Sequence, residues 1–262
     1  MQAEAIDVQS TDLEELSRLA TQQRRTLLGN LTQLRKHDYA YLRSLHADPH
    51  NSYFLNIARF QESTLNLSNA LGPENHQKRC EQLYYLGLSL GRLLTTTHSS
   101  SQLAMDGCQL MDELDFYFAA PSIQNMKLVT VATKVPFYER PREPSADDSV
   151  FPEPYRTVVR KWNNKPVYQR LVTPHLAFPL DYCLLVVSIC DVVTLVYAKL
   201  QEDPCHQPHV FQALLRLDDK LKKTVLDHVN KHLSAAATAS IKDQMQSLRP
   251  PTTQHPPSRA RG

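Results

Sequence analysis

The side chains best suited to chemistry in this sequence are histidines. His228 and His232 stand four residues apart, and on a helix that spacing turns both imidazoles to one side, as a transition metal requires. Cys205, His206 and His209 add three donors shortly upstream. The rest of a metal motif is missing: Val229 rather than glutamate follows His228, and Cys205-His206-Gln207-Pro208-His209 has no second cluster to complete a tetrahedral set. The two helical histidines are therefore expected on a solvated face, and no metal, cofactor or catalytic residue is assigned.

Carboxylates lead to the same place. Asp112, Glu113 and Asp115, and the pair Asp218 and Asp219, offer oxygen to a cation, but adjacent positions on a helix diverge by about 100°. Solvated faces are expected, with Asp112 and Asp115 sharing one side. Asp191 is different because it interrupts the most apolar stretch of the chain, Leu180 to Leu200. A carboxylate there has to be ion-paired, neutral or at the rim, so it is expected as a buried polar group paired with a base from a strand or another helix. The six glycines form no phosphate-cradling loop, which excludes the common nucleotide-dependent enzymes.

Charge singles out one interaction surface. Between Tyr155 and Arg170 lie Arg156, Arg160, Lys161, Lys165 and Arg170, interleaved with Trp162 and Tyr168 and free of acids. That mixture stacks on bases, grips phosphate or meets an acidic protein, and it also protects the edge of a hairpin. The tail from Arg249 adds Arg259 and Arg261, so the formal net charge of +2 conceals a remainder of about −6.

These groups are positioned by helices. Thr11-Asp12-Leu13-Glu14 reads as a capping box opening a long helix to about His46, with an apolar stripe of Leu13, Leu16, Ala20, Leu27, Leu31, Leu34, Tyr41 and Leu45. Gln23, Asn30 and Asp38 break that stripe, which suits a bundle better than an uninterrupted coiled coil. Further helices are predicted from Tyr53 to Leu71, Glu74 to Thr95 and Leu103 to Phe118, with Thr95 to Gln102 as a loop. Gly87 and Gly91 leave one face of the third helix open to another backbone. Lys127 to Val135 alternates like a strand, and Tyr155 to Val172 splits at Asn163-Asn164 like a hairpin, giving up to three antiparallel strands within a β insertion at about 123–174.

Leu180 to Leu200 approaches the length of a membrane span, but Asp191 near a bilayer centre costs about 2.5 to 3.5 kcal/mol, so a buried central helix is expected instead of a span. A last helix from His209 to Leu248 carries Val210, Leu214, Leu217, Leu221, Val225, Val229 and Leu233 as its apolar face.

Five scattered cysteines and no export signal point to the cytoplasm or nucleus, with the sequons at Asn30 and Asn66 read as chance. The expected architecture is mainly α: an antiparallel helical bundle over 11–248 with long first and last helices and a small antiparallel β insertion. It is flanked by a flexible 1–10 and a disordered basic tail at 249–262. The expected role is a non-enzymatic scaffold or adaptor subunit of an intracellular complex, meeting other proteins through helix faces. Two alternatives follow from the candidate groups. One is an RNA- or phosphate-binding accessory protein using the hairpin at 155–170, and the other is a helical metal-dependent enzyme using His228, His232 and Asp191.

Overall fold

The structure, a computed structural model, describes residues 2–50, 53–60, 62–132, 157, 159–163, 165–202 and 207–248. The chain is mainly helical. Arg156, Cys205, His206 and the tail at 249–262 lie outside the described residues.

The first helix, α1 (Gln2–Ala47), begins upstream of the expected cap, so Thr11 and Glu14 lie within it. Ala3, Glu4 and Ala5 are strong helix formers and carry it back. Its buried face is Leu28, Thr32, Arg35, Tyr39, Leu42, Leu45 and His46. The expected apolar stripe lies largely elsewhere: Leu16, Leu27 and Leu34 are 63%, 54% and 53% exposed. The core side of α1 is won by residues that carry polar groups inward, which an apolar pattern does not register.

No single helix spans Tyr53 to Leu71. Phe54 and Ala58 instead close a tight turn, with Leu55 and Asn56 both left-handed (φ 52° and 58°) and the Tyr41 hydroxyl bridging the Tyr53 carbonyl and the Leu55 amide. Two single-turn helices follow, α2 (Glu62–Leu65) and α3 (Ser68–Leu71). Gly72, at φ 74°, then lets the chain enter α4 (Pro73–Thr96), where a proline occupies the first turn without losing a bond. Ser99 caps α5 (Ser100–Tyr117) by accepting from the Gln102 amide, so most of the expected polar loop is helical.

The expected strand from Lys127 is also helical, because it continues α6 (Pro121–Ala132); residues 133–135 are outside the described residues. Two three-residue strands, β1 (Arg160–Trp162) and β2 (Lys165–Val167), pair antiparallel across Asn163. After an extended strap come α7 (Tyr182–Glu202), α8 (Pro208–Leu221) and α9 (His228–Ser247), the last two joined by a π turn at Lys222–Asp227.

All seven apolar positions expected on the last helix are buried. From Leu217 to Leu233 they recur every four residues, and each such step overshoots by about 40° in a helix of 3.6 residues per turn. The wider π turn absorbs that excess and keeps Val225, Val229 and Leu233 facing the core.

Helix α7 lies between α1 and α4 and also meets α5, while α5 packs against α8. Not all neighbours are antiparallel. His46 sits by Tyr182 and Tyr39 by Tyr197, so α1 opposes α7. Lys199 reaches the carbonyls of Leu94 and Thr97 while His76 sits by Tyr182, so α4 and α7 run the same way. Gly107 and Cys108 of α5 meet Leu217 and Ala213, and Asp115 meets Lys220, so α5 and α8 also run together. The long connection between α5 and α7 makes a parallel return feasible.

Candidate functional site

Helix α7 is long and apolar enough to cross a membrane by length and composition alone. Here it packs between two helices on one side only. Tyr182, Val186, Ile189, Cys190, Val193, Val196, Tyr197 and Leu200 are buried, whereas Leu184 and Leu195 are 65% and 58% exposed. The expected fully buried helix is thus half open. Asp191 is on the open side, where its Oδ1 accepts from Arg43 Nε of α1 at 2.7 Å with both side chains about half exposed. The rim ion pair explains how a carboxylate interrupts an apolar run without a buried charge.

The buried charges are elsewhere. Glu113 of α5 is fully buried and accepts the backbone amides of Gln169, Arg170 and Leu171 at 2.8 to 2.9 Å and the Gln109 side chain at 2.8 Å. It pins the strap that leaves β2, and Ser89 holds the next amide, that of Val172. Asp218 of α8 accepts a bidentate pair from Arg35 at 2.7 and 3.0 Å and the Tyr197 hydroxyl at 2.6 Å, joining α1, α7 and α8. Burial and the Asp218 charge hold the Tyr197 phenol protonated, and Asp218 raises the Arg35 guanidinium further. The solvated faces expected for Glu113 and Asp218 are therefore wrong, because each carboxylate found its donors on distant elements. The other acids meet cations of the protein itself: Asp112 binds Arg216 and Lys220, Asp115 binds Lys220, and Asp219 binds Lys223.

The basic hairpin divides in two. In the β1–β2 register Arg160 faces Val167 and Trp162 faces Lys165, so alternation puts Arg160, Trp162 and Lys165 on one side. Trp162 is 60% exposed. Tyr168 instead packs on Phe116 and Tyr117, and Arg170 pairs with Asp106 at 2.8 Å, so these two anchor the strap.

Among the described residues no group of three or more His, Cys, Asp or Glu is placed to hold a metal ion. His228 and His232 do lie together, ring centroids 4.8 Å apart, but with the cations Arg79 and Lys231 beside them. Asp191 does not join them. Cys80, Cys108 and Cys183 are free thiols that burial pushes up to about 11, well away from a nucleophilic thiolate.

Two apolar surfaces among the described residues are extended enough to receive a partner. Along α1, Leu16, Leu19, Gln23, Leu27, Asn30 and Leu34 recur at steps of three and four, with the four leucines 53 to 63% exposed. The eighteen steps from Leu16 to Leu34 make a seam about 27 Å long at 1.5 Å per residue. The second is a groove of ≈ 630 Å³ between α4 and α7, floored by Gly87 and Gly91 and walled by Leu88, Leu185, Ile189 and Val192. A Cβ at Gly87 would meet Ile189 at 3.6 Å, while one at Gly91 would meet nothing within 4 Å. The glycine spacing opens this groove; it does not bring another backbone into contact.

No family model, curated protein or solved structure matches the chain.

Proposed function

We propose that this chain is a non-enzymatic interaction subunit of an intracellular complex, and that the exposed leucine seam of α1 receives an amphipathic helix of a partner protein. The exposed seam carries the reading. Four leucines on one edge of a helix, spaced at three and four residues and left in water, have the pattern that buries itself in a coiled-coil contact. Gln23 and Asn30 lie in the same seam, where a buried amide fixes register and partner choice at a cost in stability. The groove between α4 and α7 gives the same partner a second foothold. The helices are read as one bundle, with β1 and β2 as an insertion. Free cysteines support the cytoplasm or nucleus as the setting.

The test replaces Leu16, Leu27 and Leu34 together with glutamate and compares native-level capture of variant and wild type after nuclease treatment. All three side chains are exposed, so the variant is expected to keep its melting temperature and lose a stoichiometric protein partner. Identical partners for both chains would refute the seam. A mass doubling of the purified wild type, absent in the variant, would make the partner a second copy.

One observation favours a second reading, RNA binding, for the hairpin: its register gathers Arg160, Trp162 and Lys165 on one face. It predicts salt-sensitive binding of a single-stranded oligonucleotide that Arg160→Glu with Lys165→Glu abolishes. Binding that ignores salt, or survives both substitutions, would end it.

A further inference from the structure

A charge taken out of water is ordinarily matched by a counter-charge. Arg79 of α4 is only 5% exposed, and among the described residues no acid pairs with it. Its Nη1 donates to Gln82 at 2.6 Å, its Nη2 donates to the Thr224 carbonyl in the π turn, and its Nε is buried without a partner. The titratable groups beside it are the Tyr182 phenol and the Cys80 thiol, both kept neutral by burial.

The same corner holds His228 and His232 of α9, with Nδ1 of His228 buried and unpartnered. Lys231 lies between them in sequence and is exposed. Asp227, the acid nearest in sequence, is already held through both oxygens by Lys222 at 2.7 Å. Two positive charges and two imidazoles therefore converge from α4 and α9, with no carboxylate among them in the described residues. A metal cation is repelled there, and an oxyanion supplies what is missing. π turns are often found where function has displaced regular bonding, and this one offers its carbonyl to Arg79.

We propose that His228, Lys231 and His232 bind a phosphate-type oxyanion at the surface, with the Arg79 guanidinium buried beneath it as a fixed counter-charge. This site is independent of the α1 seam. Burial, and after it the neighbouring cations, lower the pKa of both imidazoles without a ligand; His228 is pushed down to about 4. An arriving anion reverses that balance, so each imidazole takes up a proton as the anion binds. Affinity for phosphate therefore rises as pH falls.

The test follows the ring signals of His228 and His232 by NMR in the full chain, in chloride and in inorganic phosphate at constant ionic strength. Phosphate is expected to raise both apparent pKa values by about one unit or more, roughly a tenfold preference for the charged ring. Acetate should do much less. The double variant His228→Gln with His232→Gln is expected to melt normally in chloride and to lose the phosphate-induced rise in melting temperature. A phosphoserine amide binding more tightly than inorganic phosphate would assign the site to a phosphorylated side chain, and the reverse order to a free anion; either order supports the site. Ring signals indifferent to phosphate, or moved equally by acetate, would overturn it, as would an undiminished phosphate effect in the double variant.

Discussion

Glu113 and Arg79 are both charged and both buried, one on α5 and one on α4, and the molecule treats them oppositely. Glu113 receives four N–H donors, three of them successive backbone amides of the strap, so its charge is spent inside the fold. Among the described residues Arg79 has only neutral partners, Gln82, the Thr224 carbonyl and the Tyr182 phenol, and sits beside two more nitrogen bases. A satisfied buried charge is an architectural joint. A buried charge lacking its counter-ion stays open to a partner from outside.

That contrast breaks most readily at Glu113. Glu113→Ala strands three backbone amides and is expected to lose about 3 to 5 kcal/mol in denaturant unfolding. A loss below about 1 kcal/mol would mean the strap holds without it. Arg35→Ala, which leaves Asp218 buried and uncompensated, should approach the same size. Arg79→Met should cost only about 1 kcal/mol, because the lost hydrogen bonds to Gln82 and the Thr224 carbonyl are offset by relief of an unpaired charge. Equal losses for Arg35 and Arg79 would erase the distinction between a closed node and an open one.

Two helical glycines sharpen the same idea on apolar ground. A Cβ at Gly107 would stand 2.7 Å from Leu217, and Gly107→Ala is expected to cost about 1 to 3 kcal/mol through overpacking. Gly91→Ala meets open space and should gain about 0.5 to 1 kcal/mol from helix propensity alone. Thermal melts of the two variants should move in opposite directions.

The last expected effect appears only in acid. His228 has a folded pKa of about 4, below its ordinary 6.5, so the unfolded chain binds more protons between those values. Its contribution is complete above pH 6.5 and is lost as pH falls toward 4. His228→Gln should flatten the stability profile in that window, and an unchanged slope would place the histidine in water.

How much of this was readable in the sequence depends on whether the deciding partner was near or far. The apolar ladder from Val210 to Leu233 was legible because seven large side chains repeat with the helix, whereas the π turn that interrupts the single expected helix was not. The buried face of α1 was not, because Thr32, Arg35 and Tyr39 lie on it and their acceptance inside depends in part on Asp218, 183 residues from Arg35. Asp191 looked buried because its sequence neighbours are apolar, yet Arg43 meets it at the rim. Of the candidate surface at 155–170, the alternation that groups Arg160, Trp162 and Lys165 is a local property, whereas the anchoring of Tyr168 and Arg170 depends on α5. His228 and His232 were visible as a pair; Arg79, which changes their chemistry from metal to anion, comes from another helix. Its own surroundings, Gln77-Lys78-Arg79-Cys80-Glu81-Gln82, are polar and gave no sign that it is buried.

The most direct measurement installs a photo-reactive side chain at Leu27 of the α1 seam and irradiates the protein at native level in its own cell. An account in which this seam holds a partner predicts one dominant cross-link to a helical segment of one protein, abolished by Leu16→Glu with Leu34→Glu. Cross-links confined to the body of this chain, or scattered over many proteins and unaffected by those substitutions, would contradict it.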